Sequence, residues 1–322
     1  MRLGLAEVLE ATGGHPTGPR ATFGTFHTDS RLVVPGGLFF ALKGAETDGH
    51  RFAGEAAAAG AVGLVVERRI EGMDAACQVL VDDSWRALFA VAEYVRDRVA
   101  PLVVGVTGSN GKTSTRELIA AALGTRHRVM RTAANLNTET GLPLTLLRLE
   151  AGDEVAVLEM GMQGPGEIAR LARLARPQIG VVTGIGSVHA EWFPSGKDGI
   201  AAAKAELLEA LPADGLAVVS ADDAYFEMLS ARSNAPVLGY GFDAGDLRGA
   251  DYRPLPGGGA AMSVAGIEVR LALEGRHQAR NALAALAVAR RVGVPLPEAA
   301  AALAVVRLGH RLQERAAPAG YT

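Results

Sequence analysis

The stretch "GVTGSNGKTST", Gly105 to Thr115, decides how the rest of the chain is read. It follows the apolar run "LVV" and precedes "RELIAAAL", so it reads as a turn from strand to helix. Gly105, Gly108 and Gly111 lie three apart. Glycine lets a backbone turn tightly and bring its N–H groups against phosphate oxygens, and the helix start adds favourable partial charge. In such a loop Lys112 reaches the β- and γ-phosphates, and the Thr113 hydroxyl serves magnesium. Ser109, Asn110 and Ser114 complete the stretch as candidate nucleotide contacts. The usual template G-x-x-x-x-G-K-[ST] nevertheless fails, because it needs glycine where this chain has Val106.

Working outward, short β-branched runs alternate with helical ones: "EVAVLEMG", "GEIARLARLA", "QIGVVTGIG", "GIAAAKAELLEAL", "LAVVSADD" and "APVLGYG". That alternation predicts an α/β fold with a mainly parallel sheet covered on both faces. Ligands on such a sheet sit beyond the carboxyl ends of its strands. From Leu247 to Leu273 the chain turns Gly- and Pro-rich, and "AAMSVAGIEVRLAL" predicts a hairpin on the sheet edge. Helix returns with "HQARNALAALAVARRVG". Before Gly105, "GLFFAL" and "VGLVVE" read as strands around the helix "HRFAGEAAAAGA". "QVLVDD" reads as a further strand, and "SWRALFAVAEYVRDRV" as an amphipathic helix that Ser84 can cap. Pro101 then marks a boundary, giving a small N-terminal α/β domain over residues 1–99 and a central domain over residues 100–310.

Composition narrows the classes. The chain has 322 residues, 49% of them hydrophobic, and a formal net charge of -3. No run is apolar enough to span a membrane, and no block of basic charge suggests nucleic acid. Cys77 is alone, which excludes an internal disulfide or a cysteine metal cluster. Glu7 and Glu10 inside the first apolar run do not suit a signal peptide, so a cytoplasmic protein is expected. Only four of the 32 basic residues are lysine: Lys43, Lys112, Lys197 and Lys204. Arginine stays charged, whereas a lysine amine can lose its proton and act as a nucleophile. A lysine kept in such a chain is a candidate for work that guanidinium cannot do, against survival by chance, and Lys197, in "PSGKDG", reads as a loop residue.

The departure at Val106 carries a resemblance. "GVTGSNGKTST" resembles the ATP loop G-x-T-G-[ST]-N-G-K-T of the Mur ligase family, a loop type shared with folylpolyglutamate and cyanophycin synthetases. The resemblance implies that ATP phosphorylates a carboxylate and that an amine then displaces phosphate to form an amide. It also assigns residues. Glu159 ends the strand "VAVLE", and His189 follows the strand of "GIGSVHAEWF"; family members bind magnesium through a similar Glu and His. Lys204, in "AAAKAELLEAL", matches a lysine that the family carbamylates as an oxygen ligand for a second magnesium. Magnesium favours hard oxygen donors, and arginine could not form the carbamate.

Other segments extend it. "TDSR", with Asp29, Ser30 and Arg31, and the following "PGGLFFALKG" and "DGHRF" resemble the family's domain for the UDP end of the substrate. "NLNTETGLP", with Asn135, Asn137 and Thr138, resembles an N-L-N-x-x-x-G-x-P segment of members that add D-alanyl-D-alanine to UDP-N-acetylmuramoyl-tripeptide. "GRHQARNALAA" resembles the adenine-side segment; Asn281 matches and Gln278 stands where asparagine is common. "RLGHRLQE" resembles the hinge into a third domain, with Arg311 matching an ATP-facing arginine and His310 replacing glycine.

What the resemblance implies is an ATP- and magnesium-dependent ligase of peptidoglycan precursor synthesis, a monomer, with residues 311–322 opening a third domain that does not follow. On that expectation the chain alone binds its substrates without ligating them. A diaminopimelate- or lysine-adding relative, or a protein that only captures nucleotide and UDP-sugar, are the alternatives. The motifs designate no general base for the amine.

Overall fold

The computed structural model describes residues 1–44, 46–187 and 192–308. Among the described residues two larger sheets carry the fold. β1 (Leu3–Gly4) and β3 (Thr22–Phe23) form a small antiparallel pair, with helix α1 (Leu5–Thr12) following β1. The N-terminal sheet holds β2 (His15–Thr17), β4 (Thr25–His27), β5 (Gly37–Phe40), β6 (Ala61–Val66) and β7 (Cys77–Leu80), in the order β2-β7-β6-β5-β4. Strands β4 to β7 run parallel and β2 is antiparallel at the edge. Helix α2 (Ala53–Ala58) connects β5 to β6.

Helix α3 (Ser84–Val99) joins the two halves. Leu88, Val91, Ala92 and Val95 recur at helical spacing and are buried. Its N-cap is Asp83, whose carboxylate accepts from the Trp85 and Arg86 N–H groups at 2.8 and 3.0 Å. This corrects the sequence reading, which gave the cap to Ser84. Ser84 is the first helical residue, and its hydroxyl donates instead to Glu67 at 2.9 Å. The helix ends at Ala100 in a left-handed conformation, φ 50°, just before Pro101. Side chains from α1, α3 and the N-terminal sheet share one apolar cluster with residues 142–207, so the cluster continues past Pro101. Buried Arg96 of α3 adds a hydrogen bond to the Leu174 carbonyl.

The central sheet comprises β8 (Leu102–Thr107), β9 (Val129–Arg131), β10 (Val155–Glu159), β11 (Ile179–Val182), β12 (Leu216–Ser220), β13 (Val237–Gly241), β14 (Leu247–Pro254), β15 (Ala260–Val264) and β16 (Ile267–Leu271). Its order is β16-β15-β14-β13-β12-β11-β8-β10-β9. Pairing is parallel from β9 to β14, and β15 and β16 close the edge as an antiparallel hairpin, as the sequence predicted. β14 itself was not legible. Its sequence "LRGADYRP" is mostly exposed and interrupted by an irregularity between Ala250 and Arg253, so it lacks clean alternation.

The helices are α4 (Lys112–Leu123), α5 (Gly141–Leu146), α6 (Glu167–Ala175), α7 (Lys197–Glu209), α8 (Phe226–Ala231), α9 (Arg276–Val292) and α10 (Leu296–Leu303). α4 packs on α9 through a face that includes Leu118, Ile119, Ala122 and Leu123, all buried. No helix among the described residues is long and apolar enough to cross a membrane. Register then fixes what meets at the carboxyl edge. Val106 pairs with Glu159, and Thr107 pairs with Val182. The ends of β10 and β11 therefore flank the loop that follows β8.

Candidate functional site

The loop after β8 is shaped by two glycines that admit no side chain. Gly108 has φ +149°, and a Cβ there would lie 1.9 Å from the Thr183 hydroxyl. Gly111 has φ +82°, and a Cβ would lie 2.7 Å from Asn281 Oδ1. Thr183, just past β11, fastens the loop by donating to the Asn110 carbonyl at 2.5 Å. Ser109 is tied on the same side: its N–H donates to the Gly184 carbonyl at 2.9 Å, and its hydroxyl accepts from the Gly186 N–H at 2.9 Å. Lys112 opens α4 and folds back, donating to the Gly108 carbonyl at 2.8 Å. Ser114 is buried in the same first turn, and Asn110 is exposed.

Two depressions flank this loop. The larger, about 380 Å³, is lined by Gly108, Ser109, Lys112, Asn137, Thr138, Lys204 and the indole of Trp85, among others. The smaller, about 210 Å³, lies toward α9 and is lined by Ser109, Asn110, Gly111, Gly186, Asp223, Arg280 and Asn281. The Asn281 amide donates to Gln278 Oε1 at 3.0 Å. Gln278, the residue that departs from the family pattern, thus holds Asn281 against Gly111.

Glu159 is 1% exposed at the end of β10. Its Oε2 accepts from the Thr113 hydroxyl at 3.0 Å and from Arg116 Nη1 at 3.1 Å. Its Oε1 accepts from the Asn137 amide at 2.8 Å. Loop, strand and the Asn137 segment therefore converge on one carboxylate. Lys204 is likewise buried, at 4% exposure, on the inward face of α7. It makes no hydrogen bond to another described residue, and its amine faces the larger depression. Burial first, and the Lys112 charge second, pull the amine down to about 7. Near neutral pH a large fraction is then an uncharged nucleophile.

The donor set suits magnesium. Thr113 and Glu159 present hard oxygens in contact with each other. Among the described residues no three His, Cys, Asp or Glu cluster as a metal cage. One carboxylate beside a phosphate loop is the arrangement magnesium favours, since it keeps waters and shares phosphate oxygens rather than filling an all-protein cage.

Not every expected residue joins this site. Asn137 and Thr138 line the cleft, whereas Asn135 is exposed and offers its backbone carbonyl to the Asn137 N–H at 2.8 Å. Asp29 caps a short 3-10 turn by accepting from the Arg31 N–H, and the Arg31 guanidinium returns to the Asp29 carboxylate at 2.9 and 2.6 Å. That contact holds the Asp29 carboxyl below its ordinary range. Ser30 is buried and donates to Glu55 at 3.1 Å. His189, His310 and Arg311 lie outside the described residues.

Sequence reading missed Arg116 and Trp85. Arg116 stands three residues after Thr113 on α4, a spacing that places both on one face, and this was the available signal. Nothing in the sequence marks Trp85, which reaches the cleft from the start of α3 and donates its indole N–H to the Lys43 carbonyl at 2.9 Å.

A parallel sheet with a glycine-rich loop, a lysine at a helix start and a carboxylate at the neighbouring strand end defines a nucleotide-phosphate-binding α/β protein. The chain belongs to the Mur ligase family. Residues 106–289 match the Mur ligase middle domain, and residues 25–137 match the family's catalytic domain model. The chain is 39% identical to the UDP-N-acetylmuramoyl-tripeptide–D-alanyl-D-alanine ligase of Synechocystis sp. over 83% of its own length and 58% of that protein's. The crystal structure of MurF from Acinetobacter baumannii matches with a TM-score of 0.89 at 30% identity, covering 96% of this chain and 69% of that one. MurF from Thermotoga maritima in complex with ADP matches with a TM-score of 0.77 at 32% identity, covering 88% and 66%. The chain thus spans about 58% of the length of that Synechocystis relative.

Proposed function

We propose that this protein serves the ATP-dependent joining of D-alanyl-D-alanine to UDP-N-acetylmuramoyl-tripeptide, a step of cytoplasmic peptidoglycan precursor synthesis. The observation that carries it is one cleft lined by Lys112 and buried Lys204, with the Thr113–Glu159 pair tied to its wall through Asn137. The D-alanyl-D-alanine ligase activity of the Synechocystis relative supports the same reading.

In this reading the N–H groups around Gly108–Gly111 and the Lys112 amine hold the triphosphate. Asn281, fixed by Gln278, serves the adenine side, and Arg311 is assigned to ATP. Thr113, Glu159, His189 and a carbamylated Lys204 hold magnesium, which when bound neutralises charge on the phosphates. Lys204 reaches the carbamate by simple addition: its uncharged amine attacks carbon dioxide, a C–N bond forms, and one proton leaves. Asp29, Ser30 and Arg31 belong to the UDP end, within a substrate-binding unit over residues 1–99, while residues 100–310 bind ATP. Arg31 can serve a phosphate through Nη1 while Nε and Nη2 stay on Asp29. Asn135, Asn137 and Thr138 border the path between the two.

The chemistry follows in two steps. A carboxylate oxygen of the tripeptide attacks the γ-phosphorus; the bond to the ADP oxygen breaks, leaving an acyl phosphate. The dipeptide amine then attacks the acyl carbon, phosphate leaves with the former carboxylate oxygen, and the amine loses a proton. Lys112 offsets the charge that spreads over the transferring group, and the loop's fixed geometry supplies positioning.

The test uses UDP-tripeptide labelled with 18O in its reacting carboxyl group, with ATP, magnesium and D-alanyl-D-alanine. With a protein of the relatives' full length, the reading expects one 18O in the released phosphate and a pentapeptide product by mass spectrometry. ADP release with unlabelled phosphate would show simple ATP hydrolysis and overturn it.

A further inference from the structure

Arg116 is the least expected group at the site. It is 4% exposed, on the first turns of α4, with its guanidinium divided between two carboxylates. Nη1 donates to Glu159 Oε2 at 3.1 Å and to the Ala134 carbonyl at 3.2 Å. Nε and Nη2 donate to Glu117 Oε1 at 3.2 and 2.6 Å. Glu117 in turn meets Arg131 Nε at 2.8 Å. Charges therefore alternate along Arg131, Glu117, Arg116 and Glu159. The carboxylate that faces the phosphate loop carries no uncompensated charge.

That has a consequence for cation binding. A buried carboxylate with a guanidinium on one oxygen and three donors in all is a poor ligand for a divalent ion arriving alone. The ion would meet Arg116 across Glu159. The two other carboxylates that line the cleft are already engaged, Glu139 by Arg170 and Glu167 by the Gln163 and Gly164 N–H groups. Like charges repel strongly where burial limits solvent screening. A nucleoside triphosphate changes the balance, because its own oxygens supply the missing negative charge and ligands.

We propose that Arg116 is a positioning residue that clamps Glu159 and so makes divalent-cation binding conditional on nucleotide. Through the Ala134 carbonyl it also fixes the start of the Asn135–Asn137 segment, whose Asn137 holds the other oxygen of the same carboxylate. The clamp thus ties the cation's carboxylate to the segment beside the acyl substrate. This inference rests on the nucleotide reading above.

Paramagnetic Mn2+ provides a direct probe, followed by electron paramagnetic resonance with no turnover required. Wild-type protein should take up Mn2+ weakly alone, and at least about tenfold more tightly with a non-hydrolysable ATP analogue present. Arg116→Met keeps the stem and removes the charge; it should bind Mn2+ about tenfold or more tightly than wild type without nucleotide, and lose most of the nucleotide dependence. Arg116→Lys should behave like wild type. A merely structural arginine would lower the melting temperature of Arg116→Met without tightening Mn2+ binding, and that result overturns the proposal. So does equal Mn2+ affinity of wild type with and without bound analogue, which decides the matter even where Arg116→Met does not fold. Failure of the analogue to bind at all would instead remove the nucleotide reading.

Discussion

The loop at Gly108–Thr113 and the turn at Asp29–Arg31 make an instructive pair. Both were singled out from sequence as binding elements, and both place charged side chains on the surface of a parallel sheet. In the turn, Arg31 and Asp29 satisfy each other across two residues, largely in solvent. In the loop, the partners come from far along the chain: Thr113 meets Glu159, Asn110 meets Thr183, and Gly111 meets Asn281. A local pair can rearrange around a ligand at little cost to the fold. A convergent cluster is held by the whole sheet, so its geometry exists before any ligand arrives, and breaking it damages fold and function together.

The largest expected effect follows from that coupling. Glu159→Ala removes the carboxylate opposite a buried guanidinium, and should cost roughly 3–5 kcal/mol of stability, read by urea denaturation. A loss under about 1 kcal/mol would mean that Glu117 alone satisfies Arg116 and that the cluster is looser than described.

Lys204 sharpens the comparison through pH. Its amine is held near 7 in the folded protein, against an ordinary value of 10.5. Between these values the unfolded chain binds a proton that the folded one does not, so stability rises with pH. The contribution is at most about 1.4 kcal/mol per pH unit, and it vanishes above the unfolded value. In carbon dioxide-free buffer, the difference in unfolding free energy between wild type and Lys204→Met should therefore shrink steadily from pH 7 to 10.5. A constant difference would place the amine in solvent.

The smallest effect belongs to the turn. Arg31→Ala should leave the melting temperature and nucleotide affinity unchanged, since its guanidinium is exposed, while weakening binding of UDP-tripeptide in calorimetry. Unchanged affinity for UDP-tripeptide would remove Arg31 from the substrate site.

How much could be read in advance divides along the same line. Most strand and helix types from β8 to α9, β14 and α8 excepted, were legible because β-branched runs and amphipathic runs alternate cleanly. The phosphate loop was legible because glycine spacing and Lys112 are local signals. The helix cap went to the wrong residue because "DDS" offers three competent caps in a row, and only Glu67, distant in sequence, claims the Ser84 hydroxyl. Arg116 could be placed on the face of Thr113 by its spacing, but its role could not be read, because it depends on Glu159, 43 positions away. The burial of Lys204 was likewise a property of packing rather than of "AAAKAELLEAL" itself, which reads equally well as a surface helix. α10 passed unread: "LPEAAAAL" is short and alanine-rich, and its apolar side is defined by contact with α4, α9 and β16.

Calorimetric titration of a magnesium-bound, non-hydrolysable ATP analogue into wild type and Lys112→Ala tests the central claim most directly. The account predicts a single site in wild type, and a loss of roughly 1.5–3 kcal/mol of binding free energy in the variant, with the melting temperature of the unliganded protein little changed. Equal affinity in the two proteins would contradict it, because the loop from Gly108 to Thr113 would then not be where the phosphates are held.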